Sequence, residues 1–388
     1  MGKTGMFAPR HNDKTWWQRL IGLNWFIVLL VCGLASVGVA MLYSVSGGTY
    51  EPYAAAHIQR FALSFAVMIV IATTDIRVWM SLSYPAWFFG LILLVVVEFI
   101  GHTGMGGQRW LDLGFMRLQP SELMKVAVVM AMARYFHGID FNKVKSLKSL
   151  IIPVFLVALP ILLVLRQPDL GTSLMILAGG IVVIFLAGVP RWLFIVGAVL
   201  ALVATPIAWS ALKDYQKSRV ITFMNPESDP YGAGYQIIQS KIAIGSGGMS
   251  GKGFLQGTQS HLKFLPEMRT DFIFTAQVEE FGLVGGAVLL ALYMLVFSYG
   301  VLIGVGCRNH YGRLLASGLG FTLFLYTLIN VGMVMGLMPV VGVPLPLVSY
   351  GGSAMLTYMI AVGLILCVAT NRHMTIAPKG ASLFGFKR

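Results

Sequence analysis

Glu267, Arg269 and Asp271 fall within FLPEMRTDFIF, residues 264–274, directly against the start of a long apolar run. A carboxylate there could act as a general base or hold a divalent cation. Either role places an ionisable group where ionisation is costly. Phe272, Ile273 and Phe274 would raise the pKa of Asp271, whereas Arg269 or a metal would lower it. The sequence leaves the base and metal roles side by side.

Further groups of polar residues interrupt the apolar background. GMGGQRWLDLGFMRLQPSELMK, 104–125, carries Arg109 and leads into a helix opened by Pro120, capped by Gln119 or Ser121. Glu122 and Lys125 are spaced i, i+3 on that helix, so they can pair, either as a buried structural ion pair or as the charged wall of a cavity. RQPDLGTS, 166–173, puts Arg166 and Asp169 at a tight turn, where they are surface charges or part of the same cavity. VGVPLPLVSYGGSAML, 341–356, breaks an apolar run with paired prolines and then Ser349, Gly351 and Gly352. Non-helical backbone at that depth must line a cavity or be covered by protein. Arg60, in HIQRFALSF, either joins this set or reaches up to lipid phosphate.

The long segment 212–271 has its own features. YQIIQSKIAIG has amphipathic spacing and predicts a helix lying on the membrane. GSGGMSGKG fails as a nucleotide-binding P-loop, because Gly253 follows Lys252 and Ser246 stands where the first glycine is required. Its exposed amides, with Lys241, Lys252, Lys263 and Arg269, suit an anionic headgroup.

These residues need a membrane framework. The chain has 388 residues, is 57% hydrophobic and only 11% charged, with a mean hydropathy of +0.79. That composition excludes an ordinary soluble globular domain. Continuous apolar runs predict an all-α polytopic integral membrane protein with about ten transmembrane helices, near 24–46, 54–74, 81–100, 119–136, 150–167, 169–188, 191–211, 272–304, 313–337 and 350–370. The chain forms one domain: an interfacial N-terminus at 1–23, a large outside loop at 212–271 between helices 7 and 8, and a tail at 371–388. The first run is too long for a signal peptide and is expected to remain as an anchor.

Sixteen of the 28 basic residues fall in segments that are cytoplasmic if both termini are inside. They are Lys3, Arg10, Lys14, Arg19, Arg77, Arg134, Lys143, Lys145, Lys148, Arg191, Arg308, Arg313, Arg372, Lys379, Lys387 and Arg388. This bias predicts an N-in, C-in topology. The formal charge of +13 is then an attraction to anionic lipid, with no nucleic-acid partner implied. Cys32, Cys307 and Cys367 are isolated, so neither a disulfide framework nor a zinc site is expected. Under this topology Arg60, Arg109, Glu122, Lys125, Arg166, Asp169, Arg269 and Asp271 all project toward the outer face. Mixed acid and base around an outer-leaflet cavity suits an amphiphile with an anionic headgroup.

The motifs GGQRWLDLGFMRLQPSELMK, RQPDLGTSLM, GYQIIQSKIAIGSGGMSGKGFLQGTQSHLKFLPEMRTDFIFTAQVEEFGLVGG and GVPLPLVSYGGSAML resemble those of the SEDS family (shape, elongation, division and sporulation; RodA, FtsW and SpoVE), most closely its RodA branch. The resemblance spans most of the chain in order. It implies a peptidoglycan glycosyltransferase that polymerises lipid II on the external side of the bacterial cytoplasmic membrane. It assigns catalysis to Asp271 and functional roles to Glu122, Lys125 and Asp169. It also implies Mg²⁺ or Mn²⁺ dependence without a nucleotide. The implied partners are a class B penicillin-binding protein and other elongation-complex proteins. Arg60, Arg109, Arg166, Lys252, Glu267, Arg269, Ser349, Gly351 and Gly352 are the further substrate-binding candidates. A lipid II flippase, with Asp75 and Glu98 as its support, and a non-catalytic scaffold for the transpeptidase are the alternatives.

Overall fold

The computed structural model describes residues 15–104, 107–112, 114, 116–211, 214–229, 232–258 and 267–376. Lys3, Arg10, Lys14, Lys263, Lys379, Lys387 and Arg388 lie outside the described residues.

The chain folds as a helical bundle whose apolar segments are close to those expected. A short α1 (Trp16–Ile21) precedes α2 (Trp25–Val45), α3 (Tyr53–Thr73) and α4 (Ile76–Ile100). Then come α5 (Pro120–His137), a turn-length α6 (Phe141–Val144), α7 (Ile151–Arg166), α8 (Leu170–Leu186) and α9 (Arg191–Ala211). The long loop holds α10 (Asp214–Met224) and α11 (Ala233–Gly247), followed by α12 (Ile273–Val305), α13 (His310–Val334) and α14 (Gly352–Thr370). Seven helices are long and apolar enough to cross a membrane, and α8 and α9 are shorter apolar helices. With α5, these match the ten runs read from the sequence.

Asp75, Asp169 and Asn309 each accept an amide hydrogen at the start of α4, α8 and α13. These caps satisfy donors that the apolar surroundings cannot hydrate. At the opposite rim from the long loop, Trp16 and Arg19 of α1 each donate to Thr73 at 3.2 Å. The interfacial helix expected before the first span is thereby tied to the end of α3.

Burial sorts the bundle. In α13 and α14, 72% and 78% of the apolar window is inside the protein, against 50% or less in the other candidate spans. Together with α5, which is buried along most of its length, these helices form the interior, and lipid contact falls to the rest. Close approach of α12 and α13 relies on small residues: a Cβ on Gly304 would lie 2.1 Å from Ser317 Oγ.

Three features depart from the sequence reading. Residues 102–118 contain a three-stranded antiparallel sheet: β1 (His102–Gly104), β2 (Gly107–Asp112) and β3 (Arg117–Leu118). Second, α11 does not simply lie on the membrane. Ser240 is buried and donates to Val334 O at 2.8 Å, fastening α11 between α12 and the end of α13.

Third, α12 is broken at Gly282, whose φ of 66 and ψ of −167 leave the helical region. The glycine-rich 247–253 segment fills the break. Lys252 and Gly253 N–H donate to Glu279 and Glu280 O, both at 3.0 Å, while Leu283 and Val284 N–H donate to Gly248 and Met249 O at 2.9 and 3.2 Å. The glycines suggestive of a phosphate loop therefore close the backbone of a split helix. A Cβ on Gly282 would sit 2.4 Å from both Gly251 N and Met249 O. Gly282→Ala should cost roughly 3 kcal/mol or more through this clash and the positive φ. Thermal unfolding of the purified variant in detergent should show a marked loss, and a wild-type midpoint would refute this description of the break.

Candidate active site

Asp271 ends a tight turn, 267–272, that feeds α12. Thr270 and Phe272 N–H both donate to Glu267 O, at 3.1 and 3.2 Å, and Thr270 Oγ1 donates to Glu267 Oε2 at 2.7 Å. The turn is fixed from two sides. Asn330, in α13, donates from Nδ2 to Asp271 O at 2.8 Å and to Val343 O at 2.7 Å. Ser349 Oγ donates to Thr270 O at 2.5 Å and accepts from Leu345 N–H at 2.8 Å, while Tyr350 N–H donates to Arg269 O at 2.8 Å.

The proline-rich stretch before α14 is thus the clamp for the Asp271 turn. It is irregular, with positive φ at Gly342 (74) and at Leu347 (70). Leu347 is an unfavourable residue for that region and stays there because its surroundings impose it. Its carbonyl meets His57 Nε2 at 2.9 Å, and Tyr293 OH donates to Pro346 O.

The Asp271 carboxyl takes no hydrogen bond from any described residue. Burial, and then the neighbouring Glu267 charge, push its pKa from 3.8 up to about 7; Arg219 of α10 pulls the other way. Arg219 and Val341, whose neighbour Gly342 faces the Asp271 carboxyl, line a cavity of about 150 Å³ with Gln216, Leu170, Leu174 and Ile329. It is largely carbon-walled, with Arg219 supplying a cation.

Two arginines flank the clamp. The Arg269 guanidinium stacks over Tyr53 at 4.1 Å, and Tyr53 packs edge-on to Tyr350 at 5.1 Å. Arg60 covers the Tyr350 ring at 4.4 Å. Gly352 keeps this row open, because a Cβ there would be 3.2 Å from Arg60 Cδ. Gly351 is the extended residue capping α14. Arg60 is therefore held by an aromatic face within the protein.

The other candidates are more deeply built in. Lys125 Nζ lies 2.7 Å from Glu122 Oε1, with both side chains buried, and Tyr326 OH donates to Glu122 Oε2. Lys125 also sits 4.1 Å from the centre of the Tyr326 ring. Asp169 is buried as the α8 cap, accepting from Thr172 N–H at 3.1 Å and Gln119 Nε2 at 2.9 Å. Arg109 reaches from β2 to donate to Gln167 O at 2.9 Å and to Pro168 O, so the small sheet braces the α7–α8 turn. Arg166 is exposed at the end of α7 and pairs with no described residue. Lys252 is drawn into the α12 break, 2.7 Å from Glu279 Oε1.

Sequence reasoning missed Arg219, Tyr326, Asn330, Glu279 and Glu280. Polar residues inside apolar runs, as in FLYTLINVG and FTAQVEEFG, were the available signal. Among the described residues, no three His, Cys, Asp or Glu side chains group as a metal site. Glu267 and Asp271 form a two-carboxylate set, which suits Mg²⁺ or Mn²⁺ bound partly by water and phosphate.

A family model described as Cell cycle protein, covering FtsW, RodA and SpoVE, matches residues 23–374. The chain is a member of the FtsW/RodA/SpoVE family. Peptidoglycan glycosyltransferase MrdB of Escherichia coli K12 is 45% identical over 367 residues, covering 94% of this chain and 97% of that protein. A probable peptidoglycan glycosyltransferase FtsW of Idiomarina loihiensis is 33% identical, covering 96% and 97% of the two chains. A chain from a peptidoglycan synthase complex that coordinates polymerization and crosslinking superposes with a TM-score of 0.76 at 32% identity, covering 90% of this chain and 98% of that one. The rod shape determining protein RodA of Thermus thermophilus gives 0.68 at 27% identity, covering 91% and 98%. The FtsW/RodA/SpoVE member described here therefore aligns with these relatives over nearly its whole length.

Within this family framework the Glu122–Lys125 pair can be divided into structural and functional parts. Lys125→Met leaves Glu122 buried without its cation and should cost roughly 3–5 kcal/mol. Adding Glu122→Gln should recover most of that stability in thermal unfolding, but not activity. Recovery of both would make the pair purely structural.

Proposed function

We propose that the protein is a peptidoglycan glycosyltransferase that polymerises lipid II on the outer face of the bacterial cytoplasmic membrane during elongation. One observation carries the mechanism. Asp271 presents a carboxyl with a pKa near 7, beside a cation and a carbon-walled cavity, on a turn whose backbone is clamped. Such a carboxyl is poised to act as a general base near neutral pH.

In the reaction, a sugar hydroxyl of one substrate attacks the anomeric carbon of another. A new C–O bond forms, the bond to the polyprenyl pyrophosphate breaks with its electron pair, and the hydroxyl proton passes to Asp271. Arg219, with Arg60 and Arg269 on the same side, supplies positive charge for the leaving pyrophosphate. In the alternative role, Asp271 and Glu267 would hold a Mg²⁺ or Mn²⁺ that neutralises the same charge, and Asp271 would then not serve as the base. Glu122, Lys125 and Asp169, all buried, would act on the headgroup through the helix ends they hold in place. The partner is a class B penicillin-binding protein, consistent with the synthase complex among the structural relatives.

The outward orientation rests on the basic segments at the rim opposite Asp271. A flippase needs a polar path to the inner leaflet, and its two supporting residues do not give one. Asp75 caps α4, accepting from Arg77 N–H at 2.8 Å, and Glu98 is exposed at the other end of that helix. A scaffold would tolerate the loss of the Asp271 carboxylate.

Purified protein with its partner, labelled lipid II and divalent metal provides the test. Wild type should make glycan strands and Asp271→Asn should not. Absence of strands from wild type refutes the polymerase reading, and normal polymerisation by Asp271→Asn refutes the role of Asp271. The wild-type rate should rise with pH and level off above about 7, because only the ionised carboxylate accepts the proton.

The same carboxyl destabilises the fold when ionised. Its raised pKa makes the folded state bind the proton more tightly, so its contribution falls as pH rises from about 4 through about 7. Asp271→Asn should therefore melt above wild type at pH 8, with a narrower gap at pH 5. A lower melting point at pH 8 would contradict the burial cost.

A further inference from the structure

The rim opposite Asp271 contains a second cavity, of about 410 Å³, where the ends of α5 and α13 meet. Asn330 is separated from His310 by most of α13, roughly 30 Å along the helix, so this cavity is remote from the site above. His137, His310 and Arg308 bring nitrogen donors to it, and Ile139, Phe141 and Ile376 give it an apolar wall.

Its frame is well fixed. His137 is buried, and its Nδ1 accepts from Tyr311 N–H at 3.2 Å, which sets the ring and leaves the proton of the neutral form on Nε2. Arg308 N–H donates to Arg372 O at 2.9 Å, and Asn309 Nδ2 donates to Met374 O at 3.3 Å. These bonds hold the 372–376 segment as one side of the cavity. The Arg308 guanidinium is exposed and pairs with no described acid. Asp140, the acid in the lining, lies 3.5 Å from Lys143.

We propose that this cavity is a binding site for a phosphate ester at the cytoplasmic face, with Arg308 and His310 gripping the phosphate and the apolar wall receiving the attached carbon. An unpaired guanidinium presents a planar fork suited to phosphate oxygens, and the neighbouring His310 imidazole adds a donor. The fixed frame and carbon lining separate it from the diffuse attraction of the basic loops to anionic lipid. The cytoplasmic assignment rests on the orientation proposed above; the binding chemistry does not. An anionic lipid headgroup of the inner leaflet and a soluble phosphorylated metabolite share this chemistry.

Full-length protein in detergent, titrated while thermal stability is followed, distinguishes them, since a ligand of the folded state raises the midpoint saturably. The probes are short-chain phosphatidylglycerol, short-chain phosphatidylcholine, glycerol 3-phosphate and inorganic phosphate. A saturable rise with phosphatidylglycerol alone supports a lipid headgroup, and an equal rise with glycerol 3-phosphate or phosphate supports a soluble ester. In either case Arg308→Ala with His310→Gln should weaken binding about tenfold or more, the worth of one charge-assisted bond. Lys148→Ala, an exposed basic residue outside the cavity, should bind as wild type. No saturable response to any probe overturns the proposal. So does a response that the Arg308 and His310 changes reduce no more than the Lys148 change does.

Discussion

A single side-chain amide connects the reactive turn to the core. Asn330 lies in α13, within the most buried part of the bundle, and uses both Nδ2 hydrogens on backbone carbonyls, Asp271 O and Val343 O. Those carbonyls belong to segments that have no helix of their own to satisfy them. In an apolar setting each unmade bond would cost the full desolvation of the group. The amide therefore joins the end of the long outside loop to the irregular 341–350 segment, and Ser349 and Tyr350 complete the seam.

With the backbone fixed in this way, the carboxylates divide into two kinds. Asp169 and Glu122 are buried and accept two or more hydrogen bonds or an ion pair each. Glu279 pairs with Lys252, and Glu280 accepts from Ser44. These groups organise helix ends and joints. Asp271 differs, because its carboxyl takes no bond from the described protein and its pKa is displaced toward neutrality. A group held at its backbone and unsatisfied at its side chain is ready to exchange a proton with substrate.

Much of this was legible in the sequence, because membrane spans and intramembrane charges are strong signals. The apolar runs fell within about five residues of the observed helices, and the i, i+3 spacing of Glu122 and Lys125 predicted their pairing. Asp271 stood out as a charge at the mouth of a span. What escaped depends on distant partners. The Gly282 break leaves hydropathy unchanged, and its complement lies some thirty residues earlier, in 247–253. Lys252 read as a headgroup ligand because Glu279 was hidden within an apolar run. Arg219 meets Asp271 only through folding of the outside loop. The strands of 102–118 are too short and too glycine-rich for alternation to show.

The pH–rate profile of Asn330→Ala, measured on lipid II with the partner present, tests the clamp most directly. Removing the amide should loosen the turn and hydrate Asp271. The activity midpoint should then move from about 7 toward the ordinary carboxylate range, with a lower plateau rate. A variant that keeps both the midpoint and the plateau of wild type would contradict the claim that Asn330 holds the reactive carboxyl in place.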